Sequence, residues 1–348
     1  MGHQTPTVSV LMPVHNGASF LEVSVNSILA QTVSDFELII VDDGSIDQTP
    51  IILSSLAAKD SRIRLLHNSS RQGISVALNQ AARLACGPLI ARMDADDWAH
   101  ESRFASQIEA FQRSAGLVVC GSNATHVDEQ MRPLFHTVLP LSDWDIRCAT
   151  LFENPFAHSA VMMQADAFRR IGGYNEDFPT TQDYELWTRL MAHGEVRNLE
   201  DSLIKLRRHC ASVSAHQHDE QSARTAEVQR DYARKWLGKP DWHESRYFNI
   251  RRHLYRGPCG SVNSFLSGSS AVRDSVKLSL RVKKRYPNKN SSWLRRYILG
   301  RCIFSILRRP VDLAKILSIL SLVICRPVPC IQGVTQLVRA ALQSRPKP

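Results

Sequence analysis

The chain has no apolar run long enough to cross a bilayer. The most apolar stretch of its tail, Ile316 to Cys325, is ten residues long with only Ser318 and Ser321 polar. A helical span needs roughly 20. No basic start precedes an apolar core: Met1-Gly2-His3-Gln4-Thr5-Pro6 leads into a strand pattern, which reads as no signal peptide. The eight cysteines form no Cys-x-x-Cys pair and fit no zinc spacing. Several sit in apolar segments as small hydrophobes, so the expected compartment is the reducing cytosol. No internal repeat or low-complexity tract stands out. Acidic residues are scarce in one region only. Residues 226–348 hold 6 Asp+Glu against 25 Lys+Arg, whereas residues 1–225 hold 27 against 18. An acidic body thus carries a basic tail, an asymmetry expected where one end meets a polyanion.

What is present is a globular composition, 43% apolar and 22% charged over 348 residues, enough for one large or two ordinary domains. The first half alternates strand and helix patterns. Strands are expected at Val8–Val14, Phe36–Val41, Arg62–Leu66 and Pro88–Met93. Helices are expected around Phe20–Leu29, after Thr49-Pro50 with Thr49 as cap, and over Ile74–Leu84, which Gly87-Pro88 follows. Further strands are expected at Leu117–Gly121 and Ser159–Met163, and helices at Ala165–Arg170 and Asp183–His193. This alternation predicts an α/β fold with a mainly parallel sheet covered on both sides. In such sheets ligands bind at the carboxyl ends of strands. The clusters Pro13–Asn16, Asp42–Ser45 and Asp94–Asp97 all fall there.

The cluster Asp94-Ala95-Asp96-Asp97 ends an apolar run and is followed by Trp98. Carboxylates packed this closely repel one another unless a positive charge intervenes. A divalent cation carrying a diphosphate supplies one. The plain alternative is a solvated acidic loop capping a helix that starts near His100. Beyond residue 225, basic residues interleave with aromatics, as in Arg234-Lys235-Trp236 and Trp293-Leu294-Arg295-Arg296-Tyr297. Such a pattern suits an anionic membrane surface or a small helical subdomain with a solvated basic face. The tail has no zinc, RNP-like or helix-turn-helix signature, which counts against nucleic acid as the partner.

Taken in order, six segments resemble the family 2 glycosyltransferases of the GT-A fold. They are Val8–Asn16, Ser27–Thr32, Glu37–Ser45, Arg71–Asn79, Met93–Asp97, and Gly172-Gly173-Tyr174 with Gln182–Trp187. Together they cover about the first 215 residues. The resemblance implies a Rossmann-like mixed, mainly parallel sheet with flanking helices in residues 1–225. Residues 226–348 are expected to form a basic, mostly helical region outside it, a candidate for peripheral association with the inner face of the plasma membrane. The implied activity is transfer of a sugar, with inversion, from a nucleoside diphosphate donor to a hydroxyl of a lipid-linked or polysaccharide acceptor. Uridine is the expected base, and Mn²⁺ or Mg²⁺ the expected cofactor.

The resemblance also implies roles. Pro13, His15 and Asp43 meet the nucleoside. Asp96 ligates the metal, Asp94 contacts ribose or a water one step removed from the metal, and Asp97 is a further candidate. Arg71 adds positive charge near the phosphates. Asp183, at a helix start after the Gly-Gly-Tyr loop, is the general base, although Gln182 stands where the family often has Glu. Leu206–Ser214 resembles the family's closing Arg-x-His-x-x-Ser-x-Ser segment and makes His209 a metal or diphosphate contact. His158, Ser159 and Trp187 are placed on the acceptor side by the same analogy, with residues 130–160 and the tail shaping the acceptor pocket. Each residue has a structural alternative: a turn and cap at Asp42–Ser45, a capping Asp183, a surface Arg71, a satisfied Asn79 and a structural His209. Two other readings stay open. A sugar-nucleotide nucleotidyltransferase would have a Gly-rich loop after the first strand, where this chain has Pro13-Val14-His15-Asn16-Gly17. A non-catalytic polyanion-binding protein would use only the basic tail.

Overall fold

A computed structural model describes residues 5–209, 218–237 and Tyr286. Most of the basic tail, with Trp293–Tyr297 and Ile316–Cys325, lies outside the described residues, as does Cys210–Ser214. By internal packing the chain divides into two units, Met1–Tyr232 and Ala233–Pro348.

Within the first unit, strands β1 (Val8–Val14), β2 (Phe36–Asp43), β3 (Ile63–Asn68) and β4 (Leu89–Arg92) lie parallel in the spatial order β3-β2-β1-β4. Val8 of β1 pairs with Phe36 on one side and Leu89 on the other. All eight residues of β2 are buried, as its unbroken apolar run requires for a strand covered on both faces. Helices α1 (Leu21–Leu29), α2 (Thr49–Lys59) and α3 (Ile74–Leu84) make the connections. Sequence bounds and structure coincide at α3, where Gly73, with φ of 97°, is the N-cap. At α2 they differ. Gln48 is the N-cap, and the Thr49 hydroxyl instead accepts the Gly17 N–H at 2.9 Å. Val10, Met12, Leu38, Ile40, Leu53 and Phe104 are among the fully buried core, each contributing about 1.5–3 kcal/mol.

The second half of the unit continues with β5 (Trp98–Ala99), α4 (Arg103–Arg113), β6 (Leu117–Val127), β7 (Pro133–Thr137), α5 (Asp143–Ala149), β8 (Met162–Gln164), α6 (Ala165–Arg170), α7 (Gln182–Leu190) and β9 (Glu195–Arg207). The sheet extends β4-β8-β6-β9-β5, with β7 paired to β6. Here directions mix: β8 runs antiparallel to β4 and β6, β6 parallel to β9, and β5 antiparallel to β9. The strand expected to end at Gly121 runs on to Val127 with all eleven residues buried. The strand expected from Ser159 begins instead with a 3₁₀ turn, His158–Ala160. The helix expected near His100 starts at Arg103, because Trp98–Ala99 first pairs with β9. Among the described residues the helix that follows is α8 (His218–Leu237), which buries Ala226, Val228, Gln229 and Tyr232.

Candidate active site

The ends of β1, β2 and β4 lie side by side, and each carries a polar cluster. At the end of β2 the Asp43 carboxylate is buried and fully engaged. Its Oδ1 accepts from the Asn68 amide and the Gln72 N–H, both at 2.8 Å, and its Oδ2 accepts from the Gly73 N–H at 2.8 Å. His15 Nδ1 lies 2.9 Å from the Asp43 carbonyl. Gly44 turns the chain with φ of 70°, and a Cβ there would sit 2.6–2.8 Å from the backbone of Ser70 and Arg71. Only glycine allows that approach. The Asp42–Ser45 turn therefore locks the loop carrying Arg71, Gln72 and Gly73.

The Asp94–Asp97 segment leaves the end of β4 differently. Arg92 is fully buried, and its guanidinium grips Asp94 at both oxygens. Burial opposes the charge on Arg92, but Asp94 outweighs that and holds its pKa above the ordinary value. Ser159 accepts from Arg92 at 2.7 Å and donates to Asp97 Oδ2 at 2.5 Å. Asp97 Oδ1 accepts the Arg207 N–H at 2.9 Å. His209 Nε2 lies 2.9 Å from Asp96 Oδ2. Burial, then the charge of Asp94, pushes the Asp96 carboxyl upward, while His209 works the other way. Burial with the charges of Asp94 and Asp96 pushes Asp97 well above the usual carboxylate range.

Opposite stands α7. Asp183 lies in its first turn and is half-buried. Its Oδ1 accepts the Tyr184 N–H at 2.8 Å, and its Oδ2 accepts the Asn154 amide at 2.6 Å. Burial raises the Asp183 carboxyl above its ordinary value, against the pull of these bonds and of the Arg92 charge. The loop before α7 is tied down by Asn79, whose amide accepts the Tyr174 N–H and donates to the Tyr174 carbonyl, both at 2.9 Å. Asn79 is thus satisfied within the fold. Gly173 (φ 73°) lets it approach, since a Cβ there would meet Asn79 Oδ1 at 2.6 Å. His158 Nε2 lies 2.8 Å from the Tyr174 hydroxyl, and burial followed by the Arg92 charge keeps its imidazole pKa well below the usual value. Trp187, placed on the acceptor side by analogy, is fully buried and packs its ring edge-on against Phe156 and His158.

One cleft of about 670 Å³ collects Arg71, Asp94, Asp96, Asp97, His158 and Asp183. Pro13, His15 and Asp43 are not part of its lining. Asp43 joins it indirectly, through the Gln72 and Gly73 N–H groups, and His209 through Asp96. Sequence reading missed Arg92, Asn154 and His126, and within the Leu206–Ser214 segment it gave Arg207 and Arg208 no role of their own. Arg92 had a legible signal: two residues before Asp94, it shares that carboxylate's side of the strand. Arg207 donates to the Asp96 and Glu129 carbonyls and stacks over Phe20. Arg208 is held at Nε by His126 Nδ1, 3.0 Å away. Burial and the Arg208 charge lower the His126 pKa to about 4.

The acidic segment fits a hard divalent cation. One oxygen from each of Asp94, Asp96 and Asp97 lies within 4.8 Å of the others. Arg92 already engages Asp94, whereas the Asp96 carboxylate has no cationic arginine partner among the described residues and faces the His209 imidazole. Oxygen donors with one histidine nitrogen suit Mn²⁺ or Mg²⁺, and the carboxyls of Asp96 and Asp97 are raised by burial first and by mutual repulsion second, both of which a cation would offset.

Residues 9–163 match the family model described as glycosyl transferase family 2. The amylovoran biosynthesis glycosyltransferase AmsE of Erwinia amylovora is 30% identical over 202 residues, covering 57% of this chain and 75% of AmsE. The fold is similar to that of Staphylococcus aureus TarS 1-349 in complex with UDP-GlcNAc, with a TM-score of 0.57, 16% identity and 86% and 89% of the two chains covered. It is also similar to the mannosyltransferase PcManGT of Pyrobaculum calidifontis in complex with GDP-Man and Mn²⁺, with a TM-score of 0.54, 15% identity and 88% and 89% covered.

Proposed function

The chain belongs to glycosyl transferase family 2, and from that premise we propose an inverting transfer of a sugar from a uridine diphosphate donor to a hydroxyl of a lipid-linked or polysaccharide acceptor in cell-surface glycan synthesis. The observation that carries this reading is the cleft in which the Asp94–Asp97 carboxylates and Asp183 share one space. The uridine preference is supported by the UDP-GlcNAc complex of TarS, and the use of a divalent cation by the Mn²⁺ complex of PcManGT.

In this proposal Asp96 and His209 hold the cation, with Asp94 and Asp97 beside them. The cation, when bound, neutralises charge that develops on the departing diphosphate. Pro13, His15 and the loop fixed by Asp43 receive the nucleoside. Arg71 adds positive charge at the cleft. Asp183 accepts the proton of the acceptor hydroxyl. The acceptor oxygen forms its bond to the anomeric carbon as the carbon–phosphate-oxygen bond breaks. Its electron pair leaves with the nucleoside diphosphate, and attack from the opposite face inverts the centre. Burial of Asp183 raises its basicity, which suits it to take that proton near neutral pH.

Residues 1–225 are the proposed catalytic domain. The basic region 226–348 is proposed to sit on the anionic inner face of the plasma membrane. Among the described residues no helix is long and apolar enough to cross a membrane. A thermal-shift panel of nucleoside diphosphates and their sugars with Mn²⁺ tests the donor, since ligands of the native state raise its stability by mass action. A UDP-sugar should give the largest shift, lost with a chelator. Equal shifts with all nucleotides, or none, would overturn the donor assignment. Flotation with phosphatidylglycerol liposomes that weakens with salt tests the tail.

A further inference from the structure

Asp183, the base of the proposed reaction, is held by a side chain 29 positions earlier. With the Tyr184 N–H on Oδ1 and the Asn154 amide on Oδ2, both carboxylate oxygens have a fixed donor. The orientation of the Asn154 amide is itself determined. Its Oδ1 accepts the Phe156 N–H at 3.3 Å, so the NH₂ end faces Asp183. The segment bearing Asn154 is pinned from three elements. From α7 the Tyr184 hydroxyl donates to the Thr150 carbonyl at 2.5 Å. From α8 the Gln229 amide donates to the Phe152 carbonyl at 2.5 Å. From β9 the Asn198 amide donates to the Pro155 carbonyl at 3.0 Å. Phe156 also meets the Trp187 ring edge-on, one turn along α7 from Asp183.

We propose that Asn154 is the positioning residue of the base: its amide fixes the rotation of the Asp183 carboxylate and holds that group ionised and ready to take the acceptor proton. The proposal rests on the reading of Asp183 as base. Its physical ground is that a hydrogen bond donated to a carboxylate favours the charged form and, being charge-assisted, is short and strong. Other ionisable groups act on Asp183 only through space. Arg92 on β4 favours its charge. Asp94 and Arg71 face it across the cleft, His158 and Tyr174 flank it, and Glu185 follows on α7. Among the described residues none of these hydrogen-bonds to Asp183, so Asn154 is its one side-chain donor.

The test uses the full chain with Asn154→Ala, the isosteric Asn154→Asp and Asp183→Asn. The Asp183 ¹³C carboxyl resonance, assigned by its absence from Asp183→Asn, is titrated by NMR. The acid limb of the pH–rate profile for UDP release is followed with whichever UDP-sugar is turned over. In Asn154→Ala the midpoint and the limb should both move up by about one pH unit, the expected weight of a hydrogen bond to a charged group. In Asn154→Asp they should move further, since a like charge disfavours ionisation. UDP affinity should stay unchanged. A merely structural role lowers the rate equally at every pH and leaves the midpoint fixed. An unmoved midpoint in either folded variant overturns the proposal. Transfer that survives Asp183→Asn instead overturns the base assignment beneath it, so the two failures are told apart.

Discussion

Two acidic corners, at the ends of β2 and β4, occupy equivalent places in the sheet and behave in opposite ways. Asp43 accepts three N–H groups of its own fold. Asp94, Asp96 and Asp97 crowd one another, and two of them are pushed toward protonation. The first corner is electrostatically complete and serves as a fixed support. The second is held under repulsion by Arg92, Ser159, Arg207 and His209, and it is the corner proposed to take a cation. Residue type and topological position do not therefore assign a role. The count of built-in donors does.

The largest expected effect lies outside both corners. Asp183→Asn should lower transfer by roughly 10²–10⁴-fold, the usual weight of a positioned base, with UDP binding unaltered in calorimetry. If the loss reached both corners equally, as a fall in nucleotide affinity, Asp183 would be a binding residue instead. Next, Asp43→Ala leaves three donors unanswered at a site only 4% exposed. It should destabilise the chain by about 2 kcal/mol in denaturant unfolding. An unchanged midpoint would show that water replaces the carboxylate and that the first corner is not structural. The smallest effect is Asp97→Asn without metal. Removing one charge from the crowded corner should leave stability equal or slightly higher, within about 1 kcal/mol, although the Arg207 N–H contact is retained on one oxygen only. A loss as large as that of Asp43→Ala would erase the distinction between the corners.

Local features were legible in the sequence. The β2 run announces a strand buried on both faces, and Gly73 and Gly87-Pro88 bracket α3. Consecutive carboxylates mark the rim of the site, and the Gly172-Gly173 turn marks the loop before α7, because a few adjacent residues carry the signal. The strands β7 and β9 escaped notice for physical reasons. All but the last residue of β7 are exposed, so it has no apolar face. Charged residues interrupt β9 at Glu200-Asp201, where its pairing with β6 also shifts register. Asn154, Ser159 and Arg207 act through partners dozens of residues away, and only folding brings them to the carboxylates they serve. Trp187 was drawn toward the acceptor by analogy, whereas burial gives it a supporting place beneath His158.

Mn²⁺ titration calorimetry on the intact chain with UDP present, comparing wild type and Asp96→Ala across pH, bears most directly on the proposed cation. The wild type should bind Mn²⁺, more tightly as pH rises through the raised carboxyl pKa values, because ligands must lose their protons. Asp96→Ala should weaken binding at least about tenfold. Equal affinity in the two proteins, or affinity that ignores pH, would contradict the role given to the β4 corner.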